Sequence, residues 1–129
     1  MANQNIRKSA LDWFKSKYQL ESGEIFTSKF YTPQESWSKS RVWFFQLPLE
    51  VVNSNPAKKI HLICENHLKG EPFIYLKLSS LFLLKNLNSF EADQKEKVVR
   101  IYLSAEAVDM FMEVRGKGKV DFKSFRVVE

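Results

Sequence analysis

Lys59-Ile60-His61-Leu62-Ile63-Cys64-Glu65, then the turn Lys69-Gly70-Glu71-Pro72, then Phe73-Ile74-Tyr75-Leu76-Lys77-Leu78, is the stretch that decides the fold. Ile60, Leu62 and Cys64 alternate with His61, Ile63 and Glu65, which is the two-residue period of a strand, and a Gly/Pro turn joins the two runs. The pair reads as a β-hairpin. Upstream, Val42 to Leu47 is a short apolar run ending at Pro48, a length that suits a buried strand better than a helix. Glu24 to Thr32, rich in β-branched and aromatic residues up to Pro33, reads as the first strand. Ahead of it, residues 5 to 20 place Ile6, Ala10, Trp13, Phe14 and Tyr18 on one face at helical spacing, and Gly23 closes that helix.

Downstream of the hairpin, Ser79 or Ser80 can cap a short helix through Leu87. Asn88 to Lys97 reads as a charged connection, and Val98 to Leu103 as a further strand. Ala105 to Val114 fits a helix with Ser104 as a second cap, Val108, Phe111 and Met112 inward, and Gly116 as a left-handed closing residue. A strand from Met110 to Val114 competes with it. Lys119 to Val128 carries Val120, Phe122, Phe125 and Val127, whose phase requires a bulge near Ser124 if it is one strand. These elements predict an α+β fold: an N-terminal helix and a twisted, mainly antiparallel sheet of about five or six strands, with one or two short helices on one face. If Tyr75, Lys77, Arg100 and Tyr102 line the second face, it is polar and aromatic; if the rings turn inwards, the sheet closes as a half-barrel.

The chain has 129 residues, 44% hydrophobic, 27% charged and 14% aromatic, the last carried mostly by eleven phenylalanines. That composition excludes a disordered chain, and the length predicts one domain over residues 1–129. A single cysteine, Cys64, cannot form an internal disulfide, and the N-terminus has no apolar stretch of signal-peptide or membrane-span length. The expectation is a cytoplasmic protein off the membrane, with the apolar face of the first helix docked on the sheet and not on lipid.

The net charge of +5 is unevenly placed. Residues 1–59 hold nine Lys/Arg against five Asp/Glu, residues 60–114 six against eight, and residues 115–129 five against two. If the two basic segments meet, one face is positive, the footprint of a polyanion binder. Rings interleave with cations in Lys29-Phe30-Tyr31, in Trp37 to Trp43 and in Lys117 to Arg126. Cations suit phosphates and exposed rings suit base stacking, so the pattern points to a nucleic-acid-binding module without catalytic activity. Its expected site is Trp37, Lys39, Arg41, Arg115, Lys117, Lys119, Lys123 and Arg126, with DNA and RNA undistinguished. Core rings alternating with solvated lysines on strand faces produce the same interleaving with no function attached. Trp37, in a polar stretch, separates the two readings.

Two alternatives accompany this one. A protein-interaction or adaptor domain would offer an open edge or aromatic patch to a partner. A metal-dependent nuclease would use Asp109, Asp121 and Lys123, because Asp121-Phe122-Lys123 has the acid-x-Lys spacing that puts both groups on one strand face; Glu113 is a second choice for the upstream acid. The match is short, and Asp93-Gln94-Lys95 repeats it in a charged connection. His61, Cys64 and His67 have zinc-like spacing, but a strand turns His61 and Cys64 to opposite faces and no further cluster completes a ligand set. Cys64 is read as buried and apolar, and His61 as half-exposed. Gly116-Lys117-Gly118 lacks the length and the Lys-Ser/Thr ending of a phosphate loop. No metal or cofactor is expected.

Overall fold

The computed structural model describes residues 2–18, 23–35, 40–53, 55, 57–116 and 119–127. The hairpin forms as read. Strands β4 (Lys59–Glu65) and β5 (Phe73–Ser79) pair antiparallel from Lys59↔Ser79 to Glu65↔Phe73, and β1 (Gly23–Ser28) adds to β4 in parallel. Because side chains alternate, this three-stranded sheet has two distinct faces. Ile63, Phe73 and Tyr75 pack against Ala10 and Phe14 of helix α1 (Ala2–Lys17). Ile60, Leu62, Cys64, Ile74, Leu76 and Leu78 enter the main core. Burial on both sides explains why these strands are nearly continuously apolar. Each large side chain so buried contributes roughly 1.5–3 kcal/mol.

The second sheet has the order β2 (Phe30–Tyr31), β3 (Val42–Pro48), β7 (Val98–Ser104), β6 (Glu91–Asp93), all antiparallel. Its Trp43, Phe45, Leu47, Val99, Ile101 and Leu103 share the main core with the first sheet. The α+β class is as expected, with seven strands among the described residues divided between two sheets. The stretch read as one strand over 24–32 breaks at Lys29, where the chain crosses between them. Two side chains make the crossing: Ser28 Oγ accepts from Phe44 N at 2.9 Å, and Glu65 Oε1 accepts from Phe30 N at 2.7 Å.

Short helices follow β3 and β5. Helix α2 (Leu49–Val52) was not expected; Pro48 precedes it at φ −60°. Helix α3 (Ser80–Lys85) begins where Ser79 Oγ accepts from Phe82 N, the predicted cap. A 3₁₀ turn at Leu87–Ser89 follows, and the connection read over 88–97 contains β6.

The segment 105–114 is not a helix. Turns occupy residues 107–111, Val108 is 92% exposed instead of inward, and Ser104 braces the turn by accepting from Glu106 N. Residues 111–114 pair with β7 and the C-terminal segment instead: Phe111 N donates to Ser104 O, Val114 N to Tyr102 O and Glu113 N to Val120 O. Phe111 takes φ +72°, which turns its buried ring onto Trp43, with centroids 5.3 Å apart and planes at 12°. Ladder bonds and a core ring thus outweigh a local periodicity. The competing strand reading of Met110–Val114 was the closer one.

Lys119–Val127 is an irregular segment. Phe122 N donates to Phe111 O, and Val127 N to Tyr75 O at the edge of β5. The phase slip foreseen near Ser124 is a 3₁₀ turn at Lys123–Phe125 and not a bulge. This segment and residues 111–114 bridge β5 to β7, so the sheets are joined along that side. Tyr75, Lys77, Arg100 and Tyr102 do not share a face: β5 and β7 belong to different sheets, and Tyr75 lies beneath α1.

Gly116 is not in the left-handed region; its missing side chain matters because a Cβ there would lie 1.8 Å from the Ser89 carbonyl oxygen. Gly23 combines φ +144° with a hypothetical Cβ 2.2 Å from the Lys59 carbonyl oxygen. Both obstacles are main chain and cannot swing aside. Gly116→Ala and Gly23→Ala are each expected to cost about 1–3 kcal/mol, read as a lower urea midpoint; an unchanged midpoint would show that these close approaches are not real.

Candidate nucleic-acid interface

Trp37, Lys39 and Lys117 lie outside the described residues. The other five expected residues go to three places. Arg41 is exposed at the start of β3, where its N–H donates to Glu106 Oε2 and its carbonyl accepts from Ala105 N. Its positive charge sits near His67, whose imidazole is held below its ordinary pKa by burial first and by Arg41 second.

Arg115 is half-buried on the outer face of the second sheet, 5.5 Å from the Tyr102 ring centroid and ion-paired with Glu91. Glu91 also meets Arg100, which pairs with Asp93 at 3.1 Å. The cations of this face are matched by carboxylates. Lys29 behaves likewise, paired with Glu35 at 2.6 Å and 4.9 Å from the Tyr31 ring centroid. Trp43 and Phe122 are fully buried, and every ring among the described residues is at least half-buried. Core packing therefore accounts for the described part of the ring-and-cation interleaving.

Lys119, Lys123 and Arg126 form the third group. Between them, Phe122 is buried and Val120, Phe125 and Val127 are half-buried against the cores. All three cations are exposed, and none makes an ion pair with a described residue. Alternation of apolar and cationic residues, read correctly as inward and outward, is what presents them.

Two grooves meet at Arg126. One, about 320 Å³, lies between the end of α1, the turn before β5 and the C-terminal segment; Trp13, Lys17, Tyr18, Lys69 and Glu71 line it with Arg126. Glu71 Oε1 accepts from Trp13 Nε1 at 3.0 Å and from Lys17 Nζ at 2.7 Å, and these two bonds hold its carboxyl below the usual range. The other, about 520 Å³, is bounded by Val108, Asp109, Met110, Asp121 and Lys123. Lys17, Lys69 and Arg126, from the first, middle and last parts of the chain, line the first of these grooves.

No family model, curated protein or solved structure matches the chain. Geometry and charge therefore carry the functional reading.

The nuclease residues Asp109, Asp121 and Lys123 do line one groove. Their carboxylates serve the backbone and a hydroxyl: Asp121 Oδ1 accepts from Lys123 N at 2.9 Å, and Asp109 Oδ1 accepts from Ser104 Oγ. Among the described residues no three His, Cys, Asp or Glu side chains gather closely enough to hold a metal ion. His61 is fully buried, not half-exposed, because α1 covers it: Phe14 lies 5.6 Å away and His61 Nδ1 is 2.7 Å from Tyr75 Oη. Cys64 is buried in the main core, as expected, and burial pushes its thiol pKa up strongly. His67 stacks on Phe30 at 4.2 Å.

Trp13, Tyr18 and Lys69 are groove residues that the sequence reading did not select. Trp13 and Tyr18 complete an apolar helical stripe, and nothing local marks them, because the opposite wall comes from residues 66–75 and 126–127.

Glu113 braces the backbone of β7 and that of Gly116. Its carboxylate is fully buried and accepts from Tyr102 N at 2.9 Å and Gly116 N at 2.7 Å. Burial raises its pKa above the ordinary 4.5, against the pull of these N–H groups. A raised carboxyl pKa gives stability that is complete below the unfolded-state value and lost as pH rises through the folded-state value. Relative to Glu113→Gln, the wild type is therefore expected to lose stability as pH climbs from about 4 towards 7, measured by thermal melts of both proteins. A difference that grows with pH would reverse the assignment.

Proposed function

We propose that this chain is a small non-enzymatic module that binds nucleic acid mainly through the phosphate backbone. One observation supports the reading: Lys119, Lys123 and Arg126 stand exposed on a segment whose apolar residues fix it to the sheets, and among the described residues they have no carboxylate partner of the kind that Lys29, Arg100 and Arg115 have. An exposed cation without a counter-charge can exchange a condensed counterion for a phosphate at little cost, whereas a paired one must first give up its partner. Lys69, which lines a groove with Arg126, widens the basic surface. Such contacts position a ligand without reading bases, so the expected affinity depends strongly on salt and weakly on sequence.

A protein-interaction domain is the alternative, and Leu81 and Leu84 on α3, each 39% exposed and three residues apart, favour it. It would give saturable protein binding with little salt dependence.

With three or four phosphate contacts, binding of a labelled oligonucleotide is expected to weaken roughly 20- to 150-fold between about 50 and 200 mM salt. Replacing Lys123 and Arg126 together by Ala should reduce the log–log salt slope by about 1.4 to 1.8, while Arg115→Ala should leave it nearly unchanged. Fluorescence anisotropy measures all three. A slope unaffected by the double substitution would remove the C-terminal segment from the interface.

A further inference from the structure

The groove between α1 and the C-terminal segment has a makeup that phosphate binding alone does not require. Its described lining includes three cations from three separate parts of the chain, Lys17, which is paired with the groove's carboxylate Glu71, and Lys69 and Arg126. Lys69 and Arg126 are exposed and make no ion pair with a described residue. Its wall is aromatic with one cation over it: Trp13 lies edge-on to Tyr18 at 5.8 Å and tilted against Phe73 at 5.7 Å, and Lys17 Nζ sits 5.7 Å from the Trp13 ring centroid, so the Tyr18 side of the wall is the part open to a base. The indole is held in place by its own N–H, which donates to Glu71, so little rotamer freedom remains to be lost when a ligand packs there.

From this we infer that the groove holds one nucleotide of a single-stranded nucleic acid, its base against the Trp13–Tyr18 wall and its phosphate between Lys69 and Arg126. The inference rests on the nucleic-acid reading above and specifies its mode. A volume of about 320 Å³ is at the low end of small-ligand sites and suits one nucleoside unit. A net excess of cations selects an anion, and a ring wall selects a flat partner; an unpaired nucleotide is both. A paired base within a duplex has its faces stacked on its neighbours and cannot present one to this wall. Arg126 also lines the neighbouring groove with Lys123, so a strand leaving the first groove meets the next cation directly.

The test uses intrinsic fluorescence of the full chain with a short oligothymidylate, binding being followed separately by anisotropy of a labelled strand. The tryptophans are Trp13, Trp37 and Trp43. Trp43 is fully buried, so in Trp37→Phe a contact quench reports Trp13. Saturating single strand is expected to quench Trp37→Phe, the matching duplex is expected not to, and Trp13→Leu should weaken single-strand binding about tenfold. Lys69→Ala, in an exposed turn where folding is not at stake, should weaken it about fivefold by loss of one phosphate contact. Three results would overturn the inference while leaving nucleic-acid binding intact: no quench in Trp37→Phe at saturation, unchanged affinity in Lys69→Ala, or an equal quench by duplex. An equal quench by polyglutamate would replace the nucleotide by an acidic peptide. No binding of any oligonucleotide at low salt would remove the broader reading as well.

Discussion

Strands β4 and β5 are apolar on both faces, and a hairpin with two apolar faces needs two covers. Helix α1 supplies one, through Ala10, Phe14 and Ile6, and the second sheet supplies the other, through Trp43, Phe45, Leu47 and the inward residues of β7. The free edge of β5 then takes up the C-terminal segment, where Val127 N meets Tyr75 O. The positions of Lys119, Lys123 and Arg126 follow from that docking. Trp43 ties the arrangement together: its indole N–H donates to the Glu65 carbonyl at the end of β4 while its ring stacks on Phe111. The turn that follows β7 is thereby locked to both sheets.

The proposed binding rests on a contrast between two kinds of cation. On the outer face of the second sheet, Arg100 and Arg115 are held by Asp93 and Glu91, and Arg115 rests on Tyr102. Those groups stabilise a surface modestly and are poorly placed to release it for a ligand. Along the C-terminal segment and at Lys69 in the adjoining groove the cations face water and have no carboxylate partner among the described residues, next to a tryptophan fixed by a hydrogen bond, while Lys17 is paired with Glu71. A rigid ring beside unmatched positive charge loses little entropy on binding an anionic, planar partner. The buried carboxylate of Glu113 pins the backbone at Tyr102 and Gly116.

The hairpin, the cap at Ser79 and the strand from Val98 were legible because their signals are local: period two, a turn and a single hydroxyl. Residues 105–114 misled for the opposite reason. Their helical spacing is real, yet Phe111, Glu113 and Val114 gain partners on β7 and on the C-terminal segment in place of the i−4 carbonyls of a helix. Gly116 looked like a helix terminator and proves to be a close approach to Ser89, which lies far back in the chain. The basic tail was visible as composition, but the distinction between paired Arg115 and unpaired Lys123 depends on where Glu91 falls after folding. Trp13 was read as a residue of the helix's apolar face; its second role at the groove exists only once residues 69–71 and 126 arrive beside it.

The most direct measurement is a ¹H–¹⁵N correlation titration of the full chain with a short single strand at low salt. The account predicts shifts concentrated at Lys69, Gly70, Glu71 and Lys119 to Val127, together with the Trp13 indole N–H, while Arg100, Tyr102 and Arg115 on the outer face of the second sheet change little. Shifts confined to that outer face, or none at all, would contradict it.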